Sequence, residues 1–170
     1  MGRKSTKENK NVFFQAREAL GLTRDEASEL LDGISADRIE RIEYDNPPHP
    51  DEVLRMADKY NAPELCNHYC AKYCDIGKQY VPEIRLKDLS QIVLEMLASL
   101  NAMQTKKDRL IEISADGSID GDEIEDFVYI QEELERISIT VETLRVWAEQ
   151  MLSKGLIDID AYNACKSKNH

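Results

Sequence analysis

The feature that constrains this chain most is a pair of apolar columns in its second half. Leu86, Leu89, Val93, Met96, Leu100, Met103 and Leu110 recur at steps of three and four, with Lys107 the one polar break. Beyond the polar stretch "SADGSIDGDE", Phe127, Ile130, Leu134, Ile137, Val141, Leu144, Ala148 and Met151 do the same. An α-helix returns to one face every turn, so each run makes a seam along a long helix, about four heptads apiece. A short connection lets two such seams meet only if the chain turns back. That predicts a long antiparallel helical hairpin over residues 86–153, followed by a short C-terminal helix and tail over 154–170. Ile124, Val128, Ile139, Val146 and Trp147 lie off the second seam. A lone hairpin would leave them wet, so a second copy or the first part of the same chain should cover them. Glu132, Glu133, Glu135 and Glu142 read as a solvated face.

Seven glycines, five prolines and 6% aromatics in 170 residues supply few turns, and the expected class is all-α. No apolar run reaches the length of a membrane span. The basic start, "MGRKSTKENKN", has no apolar segment behind it of the kind a signal peptide needs. The expectation is therefore a cytoplasmic protein with no membrane partner. Four cysteines in that compartment read as free, metal-bound or redox-active rather than bridged. A formal net charge of -11 argues against non-specific coating of DNA. Residues 1–62 hold 10 Lys+Arg against 13 Asp+Glu, and residues 63–170 hold 12 against 20. The acidic excess thus sits mainly in the second part, which leaves room for a local basic face in the first.

Residues 1–10 read as a disordered basic arm carrying Arg3, Lys4, Lys7 and Lys10. Over 11–62 the pattern is four short helices. The first has Val12, Phe13, Ala16 and Leu20 inward and stops at Gly21. Thr23 and Glu26 form a T-x-x-E capping box that opens the second, which runs through Ala27, Leu30 and Leu31. Asp32-Gly33 is a tight turn, and Ser35 caps the third through Ile39 and Ile42. Pro47, Pro48 and Pro50 force a loop. Asp51 is the expected cap of the fourth, with Val53, Leu54, Ala57 and Tyr60 inward.

The segment "LTRDEASELLDGISADRIERIEYDNPPHPDEVLRMADKY" resembles the xenobiotic-response-element (XRE) family of λ-repressor-like helix-turn-helix proteins. The matching residues are Leu22-Thr23, Glu26-Ala27, Gly33-Ile34-Ser35, Ile39, Ile42-Glu43, Pro50, Leu54 and Ala57. The resemblance covers about residues 11–62. It implies a sequence-specific transcriptional regulator that binds a double-stranded DNA operator as a dimer, with the second helix of the pair in the major groove. By position, Ala36, Asp37 and Arg41 would lie nearest the bases, Arg24 would touch phosphate or a base, and Arg38 and Asn46 are counted with them. Two departures stand out. The family's spacing from small residue to turn glycine is shorter than the six steps here from Ala27 to Gly33. Asp45 or Asn46 stands where the family has a glycine, and both tolerate a left-handed turn, Asn better.

The reading helix alternates charge through Asp37, Arg38, Glu40, Arg41 and Glu43. Asp or Glu can accept from cytosine and Arg can grip guanine. Glu40 and Glu43 can also hold Arg38 and Arg41 in place. The phosphate-neutralising contribution is thin, which suits a moderate binder needing two copies per site. The alternative is a protein-interaction adaptor that has lost DNA binding and uses the helix-turn-helix and the hairpin to dock a protein partner.

Residues 63–85 read as a cysteine-bearing connector. Cys66, Cys70 and Cys74 stand at i, i+4 and i+8, one stripe of a helix. Three thiolates completed by His49 or Cys165 could make a tetrahedral zinc site, although the spacing is not that of a zinc finger. His68 sits too far round such a helix to serve. The same cysteines could form a thiol redox switch, or simply pack as small hydrophobes. No other cofactor is expected. "EISADGSIDGDE" can be laid on a calcium-loop pattern, but its first ligand would be Glu112 where a shorter Asp is wanted. No catalytic constellation is visible: the three histidines, His49, His68 and His170, have no nucleophile at a recognised spacing, and the glycines are isolated. The expectation is not an enzyme.

Overall fold

The computed structural model describes residues 10–44, 46–115 and 117–168, and these are all-helical, with no strand. No helix among them is long and apolar enough to cross a membrane. Apart from Lys10, the expected basic arm lies outside the described residues, as do Asp45, Asp116 and His170. The chain divides into two compact units. One runs to Glu83 and takes in the residues from Glu149 onward; the other is Ile84–Ala148.

The first unit begins with four short helices, α1 (Val12–Ala19), α2 (Arg24–Leu31), α3 (Ala36–Glu43) and α4 (Pro50–Lys59). Each starts where a side chain meets the orphan donors of its first turn. Asn11 accepts from the Phe14 amide, Thr23 and Glu26 form a reciprocal capping box, and Ser35 accepts from the Arg38 amide. The fourth start differs from expectation. His49, not Asp51, is the cap residue, Pro50 occupies the first helical position, and Glu52 accepts from the His49 amide at 2.6 Å. Proline has no N–H to satisfy there, which moves the start forward. The inner face of α4 is then Val53, Met56, Ala57 and Tyr60, and Leu54, expected inward, is 64% exposed.

Phe13, Leu31, Ile39, Ile42 and Met56 fill the core around a fully buried Ala27. The turn between α2 and α3 uses two residues with positive φ, Asp32 at 36° and Gly33 at 101°. This accommodates the long step from Ala27, and the Asp32 carbonyl accepts from Arg55 Nη1 at 2.6 Å. Asn46 does not take the left-handed conformation considered for it.

The segment expected as a connector is helical. It forms α5 (Glu64–Lys72) and α6 (Gly77–Tyr80), and Ala62 and Leu65 belong to the same core. At residues 149–170, α9 (Ile159–Lys168) buries no side chain.

The second unit is built from α7 (Leu89–Ile113) and most of α8 (Ile124–Ser153). Asp88 caps α7 through the Gln91 amide at 2.9 Å. Lys106 and Arg109 hold Asp126 at 2.8 and 2.9 Å. Glu95, Ser99 and Ala102 line one cleft with Glu133, Arg136 and Thr140. Partners thus run in opposite order along the two helices. The expected seams are buried only in part: Ile130 is buried, and Met96, Met103, Leu110, Phe127, Ile137, Leu144, Ala148 and Met151 are half-buried. Ile92, Ser99 and Ile113 of α7 and Ile130, Glu133, Thr140, Thr143 and Val146 of α8 are buried, whereas Leu86, Leu89, Val93, Leu100, Leu134 and Val141 are exposed. Periodicity finds an apolar stripe wider than one row, and packing chooses which row meets the neighbour. Of the residues off the second seam, Val146 is buried, Ile139 and Trp147 are half-buried, and Ile124 and Val128 are exposed.

Candidate nucleic-acid interface

Helix α3 turns Ile39, Ile42 and Glu43 inward. That sets its opposite side by geometry alone: Asp37, Glu40 and Arg41 are exposed and Ala36 is half-buried. Ser35 at the cap and Asp37 in the first turn lie at the positive end of the helix dipole. Asn46 is exposed, and its amide donates to the Arg41 carbonyl at 3.0 Å.

The arginines of this region differ sharply in their engagement. Arg38 grips Glu52 with two nitrogens, at 2.8 and 2.7 Å, and also donates to the Pro47 carbonyl at 3.2 Å. This pairing raises the Arg38 pKa, and it holds the Glu52 carboxyl below its ordinary range. Arg24 donates to Glu43 at 2.9 Å and Glu40 at 2.7 Å and lies over the Tyr44 ring, 5.3 Å from its centre. Burial opposes the Arg24 charge, but hydrogen bonds to Glu43 and Tyr44 outweigh it and raise the pKa. Arg17 forms a buried fork on Glu43, at 2.5 and 3.0 Å, and donates to the Leu22 carbonyl. Arg55 sits 3.7 Å from Asp51. Of the arginines between Lys10 and Ala62, Arg41 alone has no ion-pair partner among the described residues.

The acids therefore do work other than that expected. Glu40 and Glu43 hold Arg24 and Arg17 rather than Arg38 and Arg41, and Arg38 is held from α4. The Arg17–Glu43–Arg24 cluster ties α1, α2 and α3 together and is the feature that sequence reasoning missed. One signal was available: Arg17 stands four residues after Phe13, on the inward face of α1. Tyr60 is buried beside the cluster. Its hydroxyl is pushed up to about 12 by burial, with the Glu43 charge adding and Arg17 opposing.

The cysteines do not form one stripe. Cys66 and Cys70 are on α5, but that helix ends at Lys72, and Cys74 lies beyond it with its sulfur 3.4 Å from the Gly77 amide. Cys165 is exposed on α9. Among the described residues, no group of three or more His, Cys, Asp or Glu could hold a metal ion. Two residues of the calcium-like pattern are engaged with other side chains or amides: Glu112 pairs with Arg109 and Glu123 accepts from the Asp120 amide.

His68 is half-buried, edge-on to Phe13 and Tyr73 at 6.1 and 5.9 Å. Burial lowers its pKa, Glu83 opposes this, and Lys72 adds to it. A depressed folded value means the unfolded chain takes the proton first. The contribution of His68 to the stability of this unit should be complete above an unfolded value near 6.5 and be lost as pH falls through the folded one. Replacing His68 with glutamine should flatten the decline in melting temperature between pH 7.5 and 5. An equal decline in both proteins would show that the histidine is not responsible.

No protein-family model, curated protein or solved structure matches the chain.

Proposed function

We propose that the chain is a sequence-specific, DNA-binding transcriptional regulator of the XRE type, acting in the cytoplasm. In this reading α2 and α3 are a λ-repressor-like helix-turn-helix with α3 in the major groove, and α7 and α8 are an antiparallel hairpin through which two copies join. The observation that carries it is the exposed face of α3. A short, capped helix, locked from behind by Ile39, Ile42 and Glu43, offers on its outer side Asp37 and Arg41, which has no ion-pair partner among the described residues. Arg41 would grip guanine and Asp37 would accept from cytosine. Arg38, held by Glu52, positions the start of the helix. Arg24 can leave the exposed Glu40 for a phosphate at little cost.

Selection of bound sequences from a random DNA pool, repeated at two salt concentrations, tests this. The expected result is an enriched palindrome with a shallow salt dependence, because few phosphates are neutralised. Arg41→Ala should cost about 1–3 kcal/mol and relax specificity at one position of each half-site. No enrichment at low salt by folded, helical protein would sink the proposal. The second reading, a module that docks a protein, is favoured by the same arginine pairing, which leaves little free positive charge. An enriched operator would reject it.

A further inference from the structure

We infer that the second unit carries a binding site for a small organic cation, an alkylammonium, in the cleft between α7 and α8. The cleft has a volume of about 440 Å³, and every residue that lines it belongs to that unit. Its room comes from the small side chains of Ala98, Ser99 and Ala102 on α7, which share it with Glu133, Arg136 and Ile139 of α8. Two polar groups in it are buried yet incompletely bonded. Ser99 is 7% exposed and Glu133 is 3% exposed. The Glu133 carboxylate accepts from Arg136 Nη1 at Oε1, and its Oε2 has no partner among the described residues. Thr140 and Thr143 donate back to carbonyls of their own helix at 2.9 and 2.7 Å, but the Ser99 hydroxyl has no such bond. Among the described residues, the partnerless polar atoms sealed from solvent are the Tyr60 hydroxyl and Glu64 Oε2. Glu133 Oε2 and Ser99 Oγ therefore keep an opening, and the cleft is the opening that both residues line. A buried charge with one hydrogen bond is costly and calls for a further partner.

The chemistry of these groups selects the ligand. An ionised carboxylate only accepts and a hydroxyl can accept, so the ligand must bring N–H donors. Glu95, which also lines the cleft, is already engaged: both of its oxygens accept from Lys87, at 2.7 and 2.6 Å. The charge left to satisfy is that of Glu133. Arg136 meets it from the solvent side, its side chain 61% exposed against 4% for Glu133. An ammonium on Oε2 competes with that guanidinium for one carboxylate, and where it replaces Arg136 no buried charge is left unpaired. An ammonium has three donors, enough for Glu133 Oε2, Ser99 Oγ and water together. Ala98, Ala102 and Ile139 give the alkyl body an apolar wall. An anion would meet a buried carboxylate on a chain of formal charge -11. The site stands or falls independently of DNA binding by α3.

Titration of the full, isotope-labelled chain with n-butylammonium at constant ionic strength, followed by amide chemical shifts, tests it. The expected result is a saturable shift confined to residues 95–102 and 133–140, with butyrate and n-butanol moving none of them. Glu133→Gln removes the charge, keeps the shape and should weaken binding by about tenfold or more. Ser99→Ala should weaken it by less. Arg136→Gln should tighten it, because the competing cation is gone. The wild-type titration needs no variant, so its result stands even where a variant folds poorly. Shifts that never saturate and spread over the exposed acids Glu125, Glu132 and Glu135 would be loose counterion association and would overturn the site. So would the absence of any shift, unchanged affinity in Glu133→Gln, weaker binding by Arg136→Gln, or butyrate binding in place of butylammonium.

Discussion

Glu43→Ala should destabilise the first unit by about 3–5 kcal/mol, because it strands a buried guanidinium. The Glu43 side chain is 1% exposed and receives three charged hydrogen bonds, two from Arg17 and one from Arg24. Arg17 is itself buried. It keeps the Leu22 carbonyl and lies 5.0 Å from the centre of the Phe14 ring, and neither neutralises it. A domain of this size has about 5–15 kcal/mol in total, so much of the unit should be unfolded at physiological temperature. Glu43→Gln keeps the shape and one acceptor, and should cost less. Glu40→Ala breaks only the exposed part of the cluster and should stay within about 1 kcal/mol. Denaturant melts followed by circular dichroism measure the loss. A Glu43→Ala cost no greater than that of Glu40→Ala would mean the cluster contributes no more than a surface pair.

Gly77→Ala should be the most damaging single-methyl addition in the first unit. A Cβ on Gly77 would lie 2.1 Å from the Cys70 carbonyl oxygen and 2.7 Å from its carbon, and backbone at the end of α5 cannot swing aside as a side chain can. Helix α6 would have to lift away from α5, at about 1–3 kcal/mol or more. The contrast is Gly121→Ala, where a Cβ meets nothing within 4 Å and φ is ordinary. That change should be neutral or stabilise by about 0.4–1 kcal/mol, through the reduced freedom of the unfolded chain. Thermal melts of the two variants side by side decide the matter. If they behave alike, the close approach of α6 to α5 is not the constraint described.

The first three helices were legible because their signals are local. A capping box at Thr23 and Glu26, a serine before α3 and a glycine at φ 101° each act within one turn of chain, and all are where the residues put them. The start of α4 was missed by a short step, since Asp51 and Pro50 both signal a start and only the path of the chain ranks them. The arginine partners were not legible. Arg24 meets Glu40 and Glu43, and Arg38 meets Glu52, across helices whose relative placement no local pattern reports. The exposed residues of the candidate reading face, Asp37 and Arg41, were readable for the opposite reason: they are what remains once Ile39 and Ile42 turn inward.

By itself, then, the sequence determined an all-helical chain, the caps that start α2 and α3, and the presence of two apolar stripes in its second part. These follow from interactions within a turn or a repeat of 3.6 residues. Tertiary structure alone decided that Glu43 is a buried ion-pair centre, that Leu65, with Cys66, Tyr69 and Tyr73 against it, belongs to the first core, and that α7 and α8 meet along Ser99, Glu133 and Thr140 while leucines face outward. Those outcomes depend on which surfaces compete for burial, and that competition is settled between segments distant in sequence, not within them.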